Sequence, residues 1–460
     1  MAEKEKTLGS GIEKFGYKQE LKRALTLRDV VLYGMLFMVV IAPMSIFGEI
    51  QHASGGLTPL VYVIGAIAIS FTAFGYMHMS NRFPIAGSVY AYVQRGINPH
   101  IGFIAGWLIL LDYVFIPSLL YALVAAWGVA LIPSIPWFAW IVVFVIINTA
   151  INIRGMEMTK GVDWVMFVME VGMLLFFLIL GLKFVFGGGG YAELSIEPFY
   201  QPGKIDAGFI ASATSIACLS FLGFDGISTL AEETVQPEKT IGKGIMIALI
   251  GIAGVFVAQT YVAALILPDW ENTDMATGFF DAAALAAGEG FRVALLVVNI
   301  LAVGIANIMA AQTATARMLY GMGRDGVIPR VFAKIHPKYK TPYVGTLVIG
   351  VLSCFLPLIL TISQLVRLVN FGALSSFILL NVAVLVFFFI KEKKRNSIGD
   401  ILKYLISPIC GVSILVFIFT GFEALTYIIG LSWLAVGIVI GAIKSKGYKE
   451  VPEAFKHLEV

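Results

Sequence analysis

The chain is poor in charge and poor in reactive side chains. Of its 460 residues only 13% are Asp, Glu, Lys or Arg, whereas 59% are hydrophobic. The net charge of +3 is too small to mark a nucleic-acid partner. The three cysteines, Cys218, Cys354 and Cys410, are scattered and each lies in an apolar run. They encode neither a disulfide framework nor a metal site. Among the five histidines there is no HExxH pair, and His78, in an apolar stretch, reads as a core histidine. No nucleophile is set beside a base, so nothing argues for an enzyme or a cofactor. The glycine run of the 188–207 loop lacks the Lys-Ser/Thr of a phosphate loop. Gly321, Gly323 and Gly326 spell GxGxxG, but they close an apolar segment and follow no strand. The first 23 residues, MAEKEKTLGSGIEKFGYKQELKR, have no apolar core, so no cleaved signal peptide is expected.

What remains is apolar length. A mean hydropathy of +0.89 exceeds what a water-soluble chain can bury, so lipid is the expected solvent. Apolar segments run at about 29–53, 59–80, 103–131, 136–153, 162–187, 208–233, 243–267, 291–320, 343–360, 365–390, 402–420 and 422–443. The spacing predicts an all-α polytopic membrane protein with twelve transmembrane helices, each near the ~20 residues a bilayer requires. Basic residues crowd one set of connections: Lys14, Lys18, Lys22, Arg23 and Arg28, then Arg82, Arg95, Arg154, Arg317, Arg324 and the run Lys391–Arg395. The alternate connections hold only Lys183, Lys204 and Arg292. The positive-inside rule places both termini in the cytoplasm of a cell-membrane protein.

Two helices are marked as broken. In CLSFLGFDGISTLAEET (218–234), Gly223 and Gly226 flank Asp225. A carboxylate at mid-membrane costs about 2.5–3.5 kcal/mol on insertion scales and so requires a reason. In the first span, Pro43 lies in VVIAPMSIFG with Ser45 and Gly48 after it. The breaks open two halves of five helices, the pattern of an inverted-repeat transporter. The expected organisation is a cytoplasmic segment 1–28, a first repeat 29–187, a second repeat 208–390, two further helices 402–443, and a cytoplasmic tail 444–460.

The candidate substrate residues are Ala42, Pro43, Met44 and Ser45 at the first break and Ser220, Phe221, Gly223 and Asp225 at the second, joined by Asp112 and Tyr113 from LLDYVF. Asp225 reads equally as a cap on the second half-helix and as a partner for a cation. Phe221 is a candidate cation–π wall. Glu170, alone in MFVMEVGMLLFF, is a candidate proton carrier, because a carboxyl group in apolar surroundings exchanges its proton nearer neutral pH. Arg367 could snorkel to the outer surface or hold a substrate carboxylate. Glu232 and Glu233 are expected to close a cytoplasmic gate with Arg95, Arg324 or Lys243.

The stretches FPIAGSVYAYVQRGINPHIGFIAGWLILLDYVF (83–115), SFLGFDGISTLAEET (220–234), ARMLYGMGRDGVIPRVFAKIHPKYKTP (316–342) and NFGAL (370–374) resemble the amino acid–polyamine–organocation superfamily of permeases. Within it the chain is most similar to bacterial putrescine importers. The resemblance implies a LeuT-like five-plus-five inverted repeat and alternating access. It also sets Glu170 where proton-coupled members carry a lysine. Amino acid members bind the substrate carboxylate at a glycine–serine–glycine turn in the first helix, and Pro43, Met44 and Ser45 stand there instead. The expected function is proton-coupled import of a small amine such as putrescine. An amino acid:proton symporter or an exchanger keeps the fold and changes the cargo, and sequence does not separate proton from sodium coupling. A channel would need a filter or charged ring, and a sensor an appended soluble domain.

Overall fold

The computed structural model describes residues 23–449 except 86, 87, 204, 276, 325 and 327. The basic residues Lys14, Lys18, Lys22 and Lys204 and the tail from 450 lie outside the described residues. Among the described residues there are helices and no named strand. In order these are Leu27–Phe37 (α1), Ala42–Ala53 (α2), Thr58–Arg82 (α3), Ser88–Gly96 (α4), Pro99–Leu131 (α5), Trp137–Arg154 (α6), Met156–Phe186 (α7), Ala207–Phe221 (α8), Pro237–Ile266 (α9) and Gly278–Ala287 (α10). There follow Glu289–Leu301 (α11), Ile308–Arg324 (α12), Tyr343–Ile359 (α13), Ile362–Val384 (α14), Ile398–Ile401 (α15), Ser407–Phe419 (α16) and Ala424–Lys444 (α17). A 3₁₀ helix, Asp225–Glu233, continues α8, and a π-helical turn, Ala302–Asn307, joins α11 to α12.

Local chemistry starts these helices where they start. Thr26 and Asp29 form a capping box on α1, and Thr361 and Gln364 form one on α14. Asn98 and Asp206 cap α5 and α8 through their side chains. Pro59 and Pro237 sit in the first turns of α3 and α9, where the missing amide leaves no bond unmade.

Among the described residues ten helical spans are long and apolar enough to cross a membrane, and α1 with α2, bent by 41°, makes an eleventh when counted as one. Helix α13 is apolar as well, at 17 residues. Large apolar side chains such as Ile146, Phe176, Ile179, Ile250 and Ile359 are each at least 60% exposed. Such a belt is stable in lipid, where every backbone group is already bonded within its helix. The core packs α3 along α9 and α5 along α14.

Three features depart from the pattern expected of the sequence. The first break lies at Met38–Ile41, with Val39 in the left-handed region at φ +59°, ahead of Pro43 rather than at it. Pro43 occupies the first turn of α2, where proline is tolerated. Residues 88–96, expected as part of a connection, form helix α4, which is buried along almost its whole length. The acidic 268–290 connection contains α10, whose Phe279 packs against Phe47 and Phe177.

The two breaks lie against each other. Gly223 has φ +110°, and a Cβ there would come within 2.9 Å of the Phe37 carbonyl oxygen. A Cβ on Gly226 would come within 2.1 Å of the Phe37 ring. Helix α14 approaches α5 as closely: a Cβ on Gly372 would lie 2.6 Å from the Leu108 carbonyl oxygen and 3.0 Å from the Asp112 amide. Gly372→Ala is therefore expected to push α14 off α5 and lower stability by about 1–3 kcal/mol. Thermal unfolding of the detergent-purified protein measures it; an unchanged transition would mean that the approach is not required.

Candidate functional site

The break between α8 and the following 3₁₀ helix puts Asp225 at the centre of the molecule, fully buried. The cap position is taken by Phe224, so the carboxylate is left to make contacts across the bundle. Tyr113 of α5 donates its hydroxyl to Asp225 Oδ2 at 2.6 Å. The Ser88 hydroxyl, at the start of α4, lies 3.3 Å from the same oxygen, 3.3 Å from the Tyr113 hydroxyl and 3.2 Å from the Tyr76 hydroxyl. The other oxygen, Oδ1, is buried and makes no well-formed hydrogen bond among the described residues, although the backbone of Gly223 and Asp225 itself faces the carboxylate.

Asp112 precedes Tyr113 on α5 and is 3% exposed. Asp225 is its electrostatic neighbour. Neither carboxylate forms an ion pair with a Lys, Arg or His among the described residues. Two anions in a low-dielectric interior without a counter-charge are unstable unless a proton or a cation joins them.

An aromatic cluster joins the Asp225 network through Tyr76 and Tyr113. Tyr76, Phe224 and Phe377 meet edge to face or tilted, with centroids 5.3–5.9 Å apart. The Phe37 ring stands edge-on to Tyr113 at 6.5 Å. Phe221, the ring singled out from sequence, instead packs against Tyr62 and Phe256 at 6.0 and 5.2 Å. Ser220 shares a hydrogen bond with the Tyr62 hydroxyl at 2.9 Å. The residues that sequence reasoning missed are thus Phe37, Tyr76, Ser88 and Phe377. Phe37 ends α1 just before the break, but nothing in the sequence ties Ser88, Tyr76 or Phe377 to Asp225, which lies well over a hundred positions from each.

At the first break the backbone amides are largely committed. Those of Met38, Val39, Ala42 and Met44 donate to Gly34, Leu36, Val39 and Ile41 carbonyls, and Pro43 has none. The Ser45 hydroxyl donates to the Ala42 carbonyl at 2.7 Å. The Val40 amide faces Glu170, and its carbonyl accepts from Gln259 Nε2 at 3.0 Å. Glu170 is fully buried. Its Oε1 accepts from Asn307 Nδ2 at 3.3 Å, in the π-helical turn, while Oε2 has no partner among the described residues. One carboxyl group therefore touches α7, the first break and the turn before α12.

The basic end of the bundle is closed by ion pairs. Arg324 makes a two-pronged contact with Glu232 at 3.0 and 3.1 Å, and Glu232 is fully buried. Glu233 pairs with Arg317 of α12, a partner not expected from sequence. The backbone joins the same cluster: Ala24 and Leu25 amides donate to the Glu233 carbonyl, and the Val235 amide to Leu25. Arg367 lies at the opposite end, where its guanidinium meets Glu423 at 2.9 Å, with Glu49 nearby. Its charge is met by protein, away from the Asp225 network.

A family model described as amino acid permease matches residues 31–449. The low-affinity putrescine importer PlaP of Escherichia coli strain K12 is 35% identical, over 94% of this chain and 96% of its own length. The branched-chain amino acid permease BcaP of Bacillus subtilis is 26% identical over 94% of this chain and 95% of its own. The methylthioribose transporter of Bacillus subtilis is also 26% identical, over 93% and 94%.

Removing Arg324 would take the two-pronged partner from the buried Glu232 carboxylate, so Arg324→Ala is expected to destabilise the fold by about 3–5 kcal/mol. Adding Glu232→Gln should recover part of that loss, because the carboxylate that the guanidinium balanced disappears. Thermal unfolding of the two single variants and the double variant checks this; strictly additive losses would contradict the pairing.

Proposed function

The chain belongs to the amino acid permease family and is a multi-pass membrane transporter, and we propose that its cargo is a small organic amine such as putrescine, imported by alternating access. The observation that carries this reading is the buried pair Asp112 and Asp225, which has no cationic side chain paired to it among the described residues. An incoming diammonium ion supplies the missing charge, and the surrounding Tyr76, Phe224 and Phe377 rings suit its methylene chain and offer cation–π faces. The bonded amides of Met38, Val39, Ala42 and Met44 and the missing one of Pro43 support an amine over an amino acid, because a substrate carboxylate would find few donors there. The pairing of Arg367 with Glu423 supports the same choice. The likeness to PlaP agrees with it.

In this reading the bent pair α1–α2 is the first of twelve membrane spans and α13 the ninth. Spans one to five and six to ten form inverted repeats, each opening at a break. The basic end, with both termini, faces the cytoplasm of a cell-membrane protein. The Glu232–Arg324 and Glu233–Arg317 pairs then form the inner gate, which must separate for cargo to leave. Glu170 couples transport to protons: protonation removes the charge that holds the Val40 amide and Asn307, and so frees the first break to move. One proton entering at about 100 mV contributes roughly 2.3 kcal/mol. A dication gains from the potential on its own account, so the proton adds to an existing drive.

The test is uptake of labelled putrescine into proteoliposomes with and without an inward proton gradient, competed with neutral, acidic and basic amino acids. Uptake should be gradient-stimulated, resistant to amino acids, and lowered at least ~100-fold in Asp112→Asn and Asp225→Asn, the scale expected when a buried charge loses its partner. Glu170→Gln should retain uptake but lose gradient stimulation. Uptake of amino acids in place of putrescine would overturn the cargo, and a Glu170→Gln protein still driven by the gradient would overturn the coupling role.

A further inference from the structure

Helix α4 has no role in the transport cycle as described so far, yet it starts at the carboxylate site and runs from there toward the basic end. Its first residue, Ser88, is fully buried and held at φ +51°, a conformation that disfavours a residue with a Cβ. Strain of this kind persists where the surroundings demand it, and it clusters at functional sites. The Ser88 hydroxyl lies within 3.3 Å of Asp225 Oδ2, the Tyr113 hydroxyl and the Tyr76 hydroxyl. Its single proton and its lone pairs therefore organise three groups from three other elements. With Tyr113 it fixes Oδ2, leaving Oδ1 as the oxygen that no side chain holds among the described residues.

The far end of α4 is fixed as firmly. A Cβ on Gly96 would come within 2.8 Å of Ala383 on α14, and Lys391 Nζ donates to the Ile97 carbonyl just beyond at 2.8 Å. Along its length, a Cβ on Gly106 of α5 would meet the Tyr90 ring at 3.0 Å. The helix is thus a strut, braced by α5 and α14, that carries one hydroxyl to Asp225.

We propose that Ser88 is the positioning residue that aims Asp225 at the cargo, and that buried helix α4 exists to hold it there. The proposal rests on the reading of Asp225 as the cargo's carboxylate. Ser88 holds Oδ2 in a fixed direction, so that Oδ1 meets an ammonium group without first reorienting. Without the hydroxyl, Asp225 can rotate toward Tyr113, and binding must pay to draw it back. The loss falls on affinity rather than on the rate of the conformational cycle.

The experiment compares the full-length wild-type protein, Ser88→Gly, Ser88→Ala and Asp225→Asn in proteoliposomes, with putrescine and arginine as the probes. Glycine removes the hydroxyl and also suits φ +51°, so Ser88→Gly separates the hydrogen bond from backbone strain. The expected result is a KM about tenfold higher in Ser88→Gly with kcat within about twofold, as for one lost hydrogen bond to a charged group. Ser88→Ala should show the same rise in KM together with a lower thermal transition. If Asp225→Asn abolishes uptake of whichever probe is carried but Ser88→Gly keeps the wild-type KM, the positioning role is overturned and the carboxylate reading stands. If Asp225→Asn transports either probe like wild type, the carboxylate reading fails and the role of Ser88 fails with it.

Discussion

The architecture depends on one electrostatic constraint: two carboxylates, Asp112 and Asp225, lie buried near each other with no basic side chain paired to them among the described residues. In a medium of low dielectric such a pair is tolerable only with protons or a cation in place. The protein supplies neutral donors, the hydroxyls of Tyr113 and Ser88, to one oxygen of Asp225, and encloses the region with Tyr76, Phe224 and Phe377. Hydroxyls stabilise the carboxylate without cancelling its charge, and rings exclude water without competing for it.

Close backbone approach makes this arrangement possible. Gly223 and Gly226 admit Phe37, so the two interrupted helices touch at their breaks, and Gly372 lets α14 lie on the backbone beside Asp112. Substituting any of the three separates elements that carry site residues. The first break is reached from a second side by Glu170, which faces the Val40 amide and accepts from Asn307. At the basic end, Glu232 and Glu233 fasten the helix that begins at Asp225 to α12. In the proposed cycle, cargo, proton and inner gate therefore act on one short segment of backbone.

Much of this was legible in the sequence, because membrane spans are written as runs of apolar residues and the bilayer fixes their length. Asp225 between Gly223 and Gly226 identified the second break, since a charge and two helix-weakening residues have no other reason to lie at membrane depth. The first break was misplaced for a physical reason. Pro43 signals a break most strongly, yet the first helical turn accepts proline without loss, and the chain turns among Met38, Val39, Val40 and Ile41, apolar residues with no turn signature. In the sequence the nine residues of α4 are too few to register as a span and belong to a connection, although they are buried like one. Ser88, Tyr76 and Phe377 are tertiary choices, made by contacts that no local pattern announces. Arg367 looked like a partner for a substrate carboxylate only while Glu423, 56 positions further along the chain, was not known to reach it.

The most direct test of the central claim is equilibrium binding of putrescine and of ornithine to the purified protein by titration calorimetry. The two ligands share a diamine of the same length, and ornithine adds a carboxylate at one end. A site built from two uncompensated carboxylates, with the amides of the first break already committed, predicts that putrescine binds and that ornithine binds at least ~100-fold more weakly, the scale of an unpaired like charge. Ornithine binding as tightly as putrescine, or more tightly, would show that the site recognises a carboxylate and would contradict the account.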